Sequence, residues 1–175
     1  MEDLLKPLLR DVPDFPRPGI LFKDITPLLA HPGARKKVVE AIAHQFKDQS
    51  IGAVAGVEAR GFIFGSLIAQ ELELPFIPIR KAGKLPYKKI TEHYQLEYAE
   101  AAIEMHTDAV APGTRVLVHD DLLATGGTAS AAGHMIQQLG GVVAGYSFVI
   151  HLSFLPGETV LKNRFAVNPH YLISF

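Results

Sequence analysis

The sequence contains no cysteine, carries almost no net charge and has no long apolar run. Without cysteine the chain has no disulfide, no thiol nucleophile and no thiolate metal site. Its 17 basic and 18 acidic residues give a net charge of −1, so the composition gives no sign of a nucleic-acid-binding surface. No segment approaches the length of a transmembrane helix, and residues 1–19 lack the apolar core of a signal peptide. We therefore expect a cytoplasmic protein with no nucleic-acid or membrane partner.

Apolar residues are distributed as in a protein of alternating strands and helices. Of the 175 residues, 48% are hydrophobic and 20% charged, so we expect one globular domain, residues 1–175. Apolar runs typical of buried strands occur at 51–57, 75–80, 115–119 and 142–152, and apolar residues at helical spacing occur at 34–49, 61–72 and 128–141. This alternation predicts an α/β fold with a mainly parallel sheet, whose ligands bind beyond the carboxyl ends of the strands. The polar segment 81–95 predicts a mobile loop.

The stretch "VLVHDDLLATGGTAS", residues 116–130, combines a strand, a turn and the start of a helix. Gly126 and Gly127 allow close approach of the backbone to a ligand, and the first turn of the helix offers free N–H groups. Thr125 and Thr128 add hydroxyl donors, which suits a phosphate. A Walker loop would need a lysine, and this turn has none. We interpret the turn as a phosphate-binding loop of another kind.

Asp120 and Asp121 stand directly before this loop. Ionised carboxylates only accept hydrogen bonds, so the pair could hold two vicinal hydroxyls of a sugar. A phosphate site beside a diol site predicts a ribose 5-phosphate as ligand. The alternative is an acidic N-cap region followed by an ordinary glycine turn, which any strand-to-helix loop can have.

The segment "VLVHDDLLATGGT" resembles the phosphoribosyl-pyrophosphate signature of the type I phosphoribosyltransferases. Four further segments, at 14–29, 56–65, 79–86 and 94–105, resemble in order the sequence blocks of the members that act on adenine. Two positions depart from the family pattern. His119 stands where an aliphatic residue is usual, and we attach no catalytic role to it. Glu58 stands where aspartate is common, which keeps the charge on a longer side chain.

This resemblance implies a fold and a reaction. The fold is a central, mainly parallel sheet flanked by helices, with a small N-terminal hood (1–33) that binds the base and a flexible lid loop (81–100). The reaction transfers the 5-phosphoribosyl group of phosphoribosyl pyrophosphate to N9 of adenine, giving AMP and pyrophosphate. The resemblance also implies a requirement for Mg²⁺, held mainly by substrate and water rather than by protein ligands, and a homodimer.

Roles for individual residues follow from the same resemblance. Glu97, Asp120 and Asp121 are the catalytic candidates, and Glu97 is expected to arrive with a lid formed by about Pro86 to Ala99, with Tyr98 packed beside it. Phe22 is expected to stack on adenine, while backbone groups of Leu21 and Lys23 read its polar edge. The residues expected to bind phosphoribosyl pyrophosphate are Arg60, Arg80, Lys81, Lys84, Ala124, Thr125, Gly126, Gly127 and Thr128.

The resemblance further implies a cis peptide bond between Glu58 and Ala59, although no proline follows. Such a bond is costly and occurs mainly at functional sites, and the small side chain of Ala59 limits the steric penalty.

Two other functions stay open at this point. A phosphoribosyltransferase for hypoxanthine, guanine or xanthine would share the "DDLLATGGT" half of the site. The N-terminal hood, which binds the base, is the part that distinguishes such an enzyme from one that acts on adenine. A non-catalytic regulator that senses phosphoribosyl pyrophosphate would need a nucleic-acid-binding surface, for which the chain has neither the length nor the charge.

Overall fold

A computed structural model describes residues 1–96 and 99–175. Within these residues the α-helices, α1 to α6 in chain order, are Glu2–Leu5, Thr26–Leu29, Pro32–Phe46, Arg60–Glu71, Gly127–Gln138 and Gly157–Phe165. A short 3₁₀ helix, Lys6–Leu8, follows α1. The strands, β1 to β9, are Arg10–Val12, Phe22–Asp24, Ala53–Val57, Phe76–Lys81, Lys89–Leu96, Ala99–His106, Arg115–Leu123, Val142–His151 and His170–Ser174.

The large sheet has the strand order β5-β6-β4-β3-β7-β8-β9. Strand β3 pairs in parallel with β4 and with β7, and β7, β8 and β9 continue the parallel arrangement. Strands β5 and β6 pair antiparallel with each other, and β6 pairs antiparallel with β4. The predicted α/β fold with a mainly parallel, helix-flanked sheet is therefore confirmed. A separate antiparallel pair, β1 and β2, lies in the N-terminal segment.

Strand β3 is buried on both faces, because successive side chains of a strand point to opposite sides and helices cover both sides of the sheet here. In β3, Ala53, Ala55 and Val57 face one core cluster with residues of α5 and α6, while Val54 faces a second cluster with residues of α1 to α4. The continuous apolar runs predicted this two-sided burial. Among the described residues, no helix combines the length and the apolar character needed to cross a membrane.

Two segments differ from the sequence prediction. Residues 120–123 belong to β7 rather than to the turn, because β7 stays paired with the long apolar strand β8 as far as Leu123 and His151. Part of 81–95 is not a loop, since Lys89–Leu96 forms β5 against β6. The movement of 81–100 as a lid, the hood at 1–33 and the single domain of 1–175 stay predictions.

Candidate functional site

The candidate site lies where three neighbouring parallel strands end. Strands β4, β3 and β7 are adjacent, so their carboxyl ends share one edge of the sheet. Helix α4 begins at Arg60, just after β3, and Asp120 and Asp121 occupy the last part of β7. Arg80 and Lys81 end β4. The predicted position of the ligand beyond the strand ends therefore brings charges of both signs together.

Arg60 and Asp121 form an ion pair across this edge. The Arg60 Nε donates a hydrogen bond to Asp121 Oδ2, and the Asp121 carboxylate is almost completely buried. Burial disfavours the charged guanidinium, but the charges of Asp121 and Asp120 outweigh it and raise the pKa of Arg60. The pair holds the guanidinium beside the end of β7.

Asp120 lies next to the pair in a different electrostatic environment. Its Oδ1 accepts a hydrogen bond from the backbone N–H of Asp121 at 2.9 Å. Burial, followed by the negative charge of Asp121, raises the pKa of Asp120 well above its ordinary value. Asp121 is thus paired with a cation, whereas burial and the charge of Asp121 disfavour the ionised form of Asp120.

Close packing of α4 on β7 brings Arg60 within reach of Asp121. A Cβ added to Gly61 would lie 2.9 Å from the carbonyl oxygen of His119 and 3.0 Å from Asp120 Oδ1. Any larger residue at this position would push the helix away from the strand. The glycine that follows Arg60 thus fixes the distance between the basic and acidic groups.

The predicted phosphate loop connects β7 to α5. Gly126 has φ = +81°, a left-handed conformation that favours glycine, and it precedes the first helical residue, Gly127. A cavity of about 160 Å³ is lined by Asp120 and by residues 122–129. The N–H groups in the first turn of α5 have no intrahelical acceptor and face an anion-sized space at the positive end of the helix. Thr128 Oγ1 donates to Tyr94 Oη at 3.1 Å, which links this loop to β5.

Gly157, the first residue of α6, supports the loop from behind. Its backbone N–H donates to the carbonyl oxygen of Ala124 at 3.0 Å, and an added Cβ would lie only 2.3 Å from the same oxygen. Gly157 also packs against Gly126, whose own added Cβ would lie 3.0 Å from the Gly157 Cα. Gly157 was not among the residues predicted from the sequence, where the "LPGE" turn is the available signal.

We expect Gly157→Ala to lower the free energy of unfolding by about 1–3 kcal/mol, because the added methyl group forces the backbone of α6 or of the loop to move. Thermal and denaturant unfolding measure the effect. Gly33→Ala is the matched control, since Gly33 also lies in the first turn of a helix and the new Cβ would lie 3.6 Å from the His31 ring, at ordinary van der Waals distance. Alanine favours helices over glycine, so the control should be no less stable than the wild type. Equal stability of Gly157→Ala and the wild type would contradict this account.

Glu58 organises the basic segment at the end of β4. Its carboxylate accepts hydrogen bonds from Arg80 Nε at 3.1 Å, from the second Arg80 nitrogen at 3.3 Å and from the Lys81 backbone N–H at 3.0 Å. Arg80 also donates to the carbonyl oxygen of Lys84 at 2.7 Å. Burial raises the pKa of Glu58, but the hydrogen bonds from Arg80 and Lys81 outweigh it, so the pKa is lowered. The predicted cis peptide bond between Glu58 and Ala59 is confirmed.

The side chains of β2 alternate between the site and the protein interior. Phe22 faces the site, where the Arg60 guanidinium carbon lies 5.0 Å from the centre of its ring, and Phe15 packs edge-on against it at 5.1 Å. Lys23 points the other way and binds Asp11 Oδ1 at 2.7 Å. Leu21 is 49% exposed. The Lys23 side chain therefore does not face the same side as the Phe22 ring. That backbone groups of Leu21 and Lys23 bind adenine stays a prediction.

His119 has a structural environment. The ring is fully buried, its Nδ1 is hydrogen-bonded to Ser147 Oγ at 2.9 Å, and it packs edge-on against Phe64. Burial lowers the pKa of His119 to about 3, so the ring is neutral at physiological pH. This agrees with the absence of a catalytic role for it in the sequence analysis.

The structure thus places Phe22, Arg60, Asp120, Asp121 and the loop 124–128 along one edge of the sheet. Lys81 and Lys84 are exposed next to Arg80, whose guanidinium is bound by Glu58. The expected catalytic residue Glu97 lies outside the described residues, as does Tyr98. Glu58 was noted from the sequence as a departure from the family and as the site of a cis peptide bond, but its contacts with Arg80 and Lys81 were not predicted.

Metal binding can be assessed from the oxygen donors at the site. The residues that the structure describes contain no group of three or more His, Cys, Asp or Glu side chains that could hold a metal ion. Asp120 and Asp121 offer carboxylate oxygens, but Asp121 Oδ2 is bound by Arg60. Such a donor set fits a hydrated Mg²⁺ that arrives on the oxygens of a substrate, because Mg²⁺ keeps several waters when it binds to proteins.

Comparison with known proteins gives a consistent result. The phosphoribosyl transferase domain family matches residues 24–150. Adenine phosphoribosyltransferase of Nitrosococcus oceani is 54% identical over 159 residues, which cover 91% of this chain and 93% of that protein. A crystal structure of adenine phosphoribosyltransferase from Rhodothermus marinus superposes with a TM-score of 0.93 at 48% identity and covers 99% of this chain and 97% of that chain. The Saccharomyces cerevisiae enzyme, crystallised with adenine and an imino-altritol bisphosphate, has a TM-score of 0.87 at 37% identity, over 96% of this chain and 95% of that chain.

Proposed function

Because this chain belongs to the phosphoribosyltransferase family, and within it to the adenine phosphoribosyltransferases, we propose that it is a purine-salvage enzyme that makes AMP and pyrophosphate from adenine and phosphoribosyl pyrophosphate. One observation from the site carries the proposal. The paired carboxylates Asp120 and Asp121 adjoin an anion-sized cavity at the start of α5, so one ligand can place a diol and a phosphate there together.

The loop 124–128 holds the 5-phosphate of the ribose in this proposal. Backbone N–H groups of Ala124, Gly126 and Gly127 and the hydroxyl of Thr125 supply the donors, and the left-handed Gly126 aims the backbone into the cavity. The Thr128 hydroxyl, which here donates to Tyr94 Oη, joins them when it rotates towards the phosphate. The positive end of the α5 dipole adds to the attraction. This charge-assisted binding fixes the position of the ribose ring relative to the two aspartates.

The aspartates stabilise the ribose during the reaction. As pyrophosphate leaves the anomeric carbon, positive charge develops on the ring, and fixed carboxylates nearby stabilise that charge. Asp121 is already oriented by Arg60, and Asp120 by a hydrogen bond from the backbone. Little reorganisation is then needed when the charge forms.

The leaving pyrophosphate carries the opposite charge and is bound by cationic side chains. Arg60, Lys81 and Lys84 lie around the ends of β3 and β4, and Lys81 and Lys84 are exposed to an incoming anion. Arg80 adds positive charge and, through its bonds to Glu58 and to the Lys84 carbonyl oxygen, shapes the segment that carries the two lysines. Mg²⁺ bound to the pyrophosphate and ribose oxygens would neutralise further negative charge, with water completing its coordination.

Adenine binds over Phe22 in this proposal. The ring lies beside the Arg60 guanidinium and therefore next to the ribose site, at a place where a base could reach the anomeric carbon. Backbone groups of Leu21 and Lys23 provide the acceptor that an exocyclic amine needs and the donor that a ring nitrogen needs. The yeast relative was crystallised with adenine, which supports a base site in this family.

We expect adenine to be converted with a kcat/KM at least about tenfold higher than that of hypoxanthine or guanine, because a 6-oxopurine mispairs with backbone groups arranged for an amine. The assay combines the protein, Mg²⁺ and phosphoribosyl pyrophosphate with each base and measures the nucleotide formed. Comparable kcat/KM values for guanine would identify a different purine specificity. Tight binding of phosphoribosyl pyrophosphate without turnover of any base would identify a regulator instead.

Glu97→Ala should lower kcat by at least about tenfold and change substrate binding much less, because we propose that this carboxylate acts on the purine or ribose only in the closed site. Steady-state kinetics with both substrates varied will separate kcat from KM. Glu71→Ala at the exposed end of α4 is the control and should behave as the wild type. An unchanged kcat for Glu97→Ala would reject the catalytic role.

A homodimer, a cytoplasmic location and the lack of nucleic-acid or membrane partners also belong to this proposal. The homodimer and the location are supported by the family resemblance, and the lack of nucleic-acid or membrane partners by the balanced charge of the chain.

A further inference from the structure

We propose that Phe175 is a positioning residue for base binding, because its ring holds the Lys23 side chain and thereby fixes the strand that presents Phe22 to adenine. This inference rests on the proposed function in one respect, namely that β2 binds the purine base. Phe175 itself lies behind β2 and does not belong to the proposed contact surface for the base.

Lys23 connects β2 to Phe175 and to β1 through its side chain. It is a lysine with only 8% of its surface exposed, and its ammonium group lies 3.9 Å from the centre of the Phe175 ring. The same ammonium group binds Asp11 Oδ1 at 2.7 Å, on the strand that pairs with β2. A cation this deeply buried needs partners for its charge, and an aromatic face together with one carboxylate supplies them.

Phe175 is fixed to the body of the protein by its main chain. Its N–H donates to the carbonyl oxygen of His151 at 2.9 Å, and its carbonyl oxygen accepts from the N–H and the hydroxyl of Ser153, at 2.8 and 2.6 Å. His151 ends β8, which is paired on both sides, with β7 and with β9. These bonds involve no side-chain atom of Phe175, so a substitution there can remove the ring and leave them in place.

Lys23 and Phe22 are neighbours in β2, so the position of Lys23 also affects the position of Phe22 at the site. Adjacent residues of a strand point to opposite faces, so a shift or twist of β2 at Lys23 moves Phe22 as well. Phe22 lies under Arg60, which is bound by Asp121. The β1–β2 pair has three residues in each strand and is separate from the large sheet. A pair this small depends on contacts such as that of Lys23 with Phe175 for its fixed position.

The test compares Phe175→Leu with the wild type, using the purine base that the wild type converts. Leucine keeps most of the apolar bulk and removes the aromatic face. We expect the KM for the base to rise about fivefold, the scale of a lost cation–π contact, with kcat and the KM for phosphoribosyl pyrophosphate within about twofold. Phe175→Tyr keeps the aromatic face and should restore the wild-type KM for the base.

Lys23→Met provides a second route to the same result, since it keeps the apolar stem and removes the ammonium group. If Phe175 acts through Lys23, the double variant Lys23→Met/Phe175→Leu should be no worse than the more affected single variant. Lys6→Met is the matched control, because Lys6 lies farther from the same ring, at 5.3 Å, and is well exposed. It should leave both KM values within about twofold.

The inference is overturned if Phe175→Leu leaves the KM for the base unchanged, if both KM values rise together, or if the effects of Phe175→Leu and Lys23→Met multiply. Should Phe175→Leu fail to fold, Phe175→Met, which also lacks an aromatic face, takes its place in the same comparisons. The identity of the base that the wild type converts tests the proposed function separately, since every comparison here is a ratio of a variant to the wild type.

Discussion

Asp121→Asn should lower kcat/KM for adenine by about 10²–10³-fold, the loss typical of removing one fixed electrostatic group from an active site. The carboxylate is buried and already bound to Arg60, so its charge is held in place before the substrate arrives. An asparagine of the same shape carries no charge to stabilise the positive ribose. Its amide group also leaves Arg60 without its anionic partner, which disturbs the binding of pyrophosphate.

Steady-state kinetics of the purified variant, together with thermal unfolding to verify its fold, measure this effect. Asp108→Asn is the matched control, because Asp108 is exposed after β6 and away from the strand ends that form the site. It should keep its kcat/KM within about twofold of the wild type. If Asp121→Asn retained a third or more of the wild-type kcat/KM, the proposed stabilisation of the ribose by Asp121 would be wrong.

The sequence predicted those parts of the fold whose burial decides their structure. The runs at 51–57 and 75–80 became β3 and β4 with boundaries within two residues, because both faces of these strands are covered. The helix predicted at 61–72 begins one residue earlier, at Arg60. At these positions the local apolar pattern and the tertiary environment favour the same structure, so the pattern alone was sufficient to predict each element.

Boundaries were wrong where a partner strand decided the structure. Residues 120–123 contain turn-compatible polar residues, yet pairing with the apolar end of β8 keeps them in β7. Lys89–Leu96 has the composition of a polar loop and becomes a strand by pairing with β6. The local sequence does not identify the partner strand, which explains both differences.

Residues of the candidate site divide in a similar way. The loop 124–128 and the paired aspartates were found because their residue types are unusual within one short segment. Contacts between distant segments were not found, among them the hydrogen bonds of Glu58 to Arg80 and the packing of Gly157 on Ala124. Lys23 shows the limit most directly, because a role was predicted for its backbone alone and the burial of its side chain against Asp11 was not foreseen.

Asp120→Asn should lower kcat/KM by about 10²-fold and at the same time make the folded protein more stable at neutral pH. The activity falls because the second carboxylate on the ribose side loses its charge. The stability rises because the ionised Asp120 is unfavourable in the folded state, where burial and the neighbouring charge of Asp121 raise its pKa. We expect a gain of about 0.5–2 kcal/mol in the free energy of unfolding, the range common for single stabilising substitutions.

The same raised pKa determines how the stability difference depends on pH. Between the ordinary pKa of an aspartate and the raised pKa of Asp120, the folded protein binds more protons than the unfolded chain, so this group lowers the stability as pH rises. Below the ordinary value both states are protonated, and the contribution disappears. Denaturant unfolding of wild type and Asp120→Asn should therefore give equal stabilities near pH 3 and a variant that is the more stable one at pH 7 to 8. A variant less stable than the wild type at neutral pH would show that the ionised Asp120 carboxylate stabilises the fold, and would contradict the raised pKa.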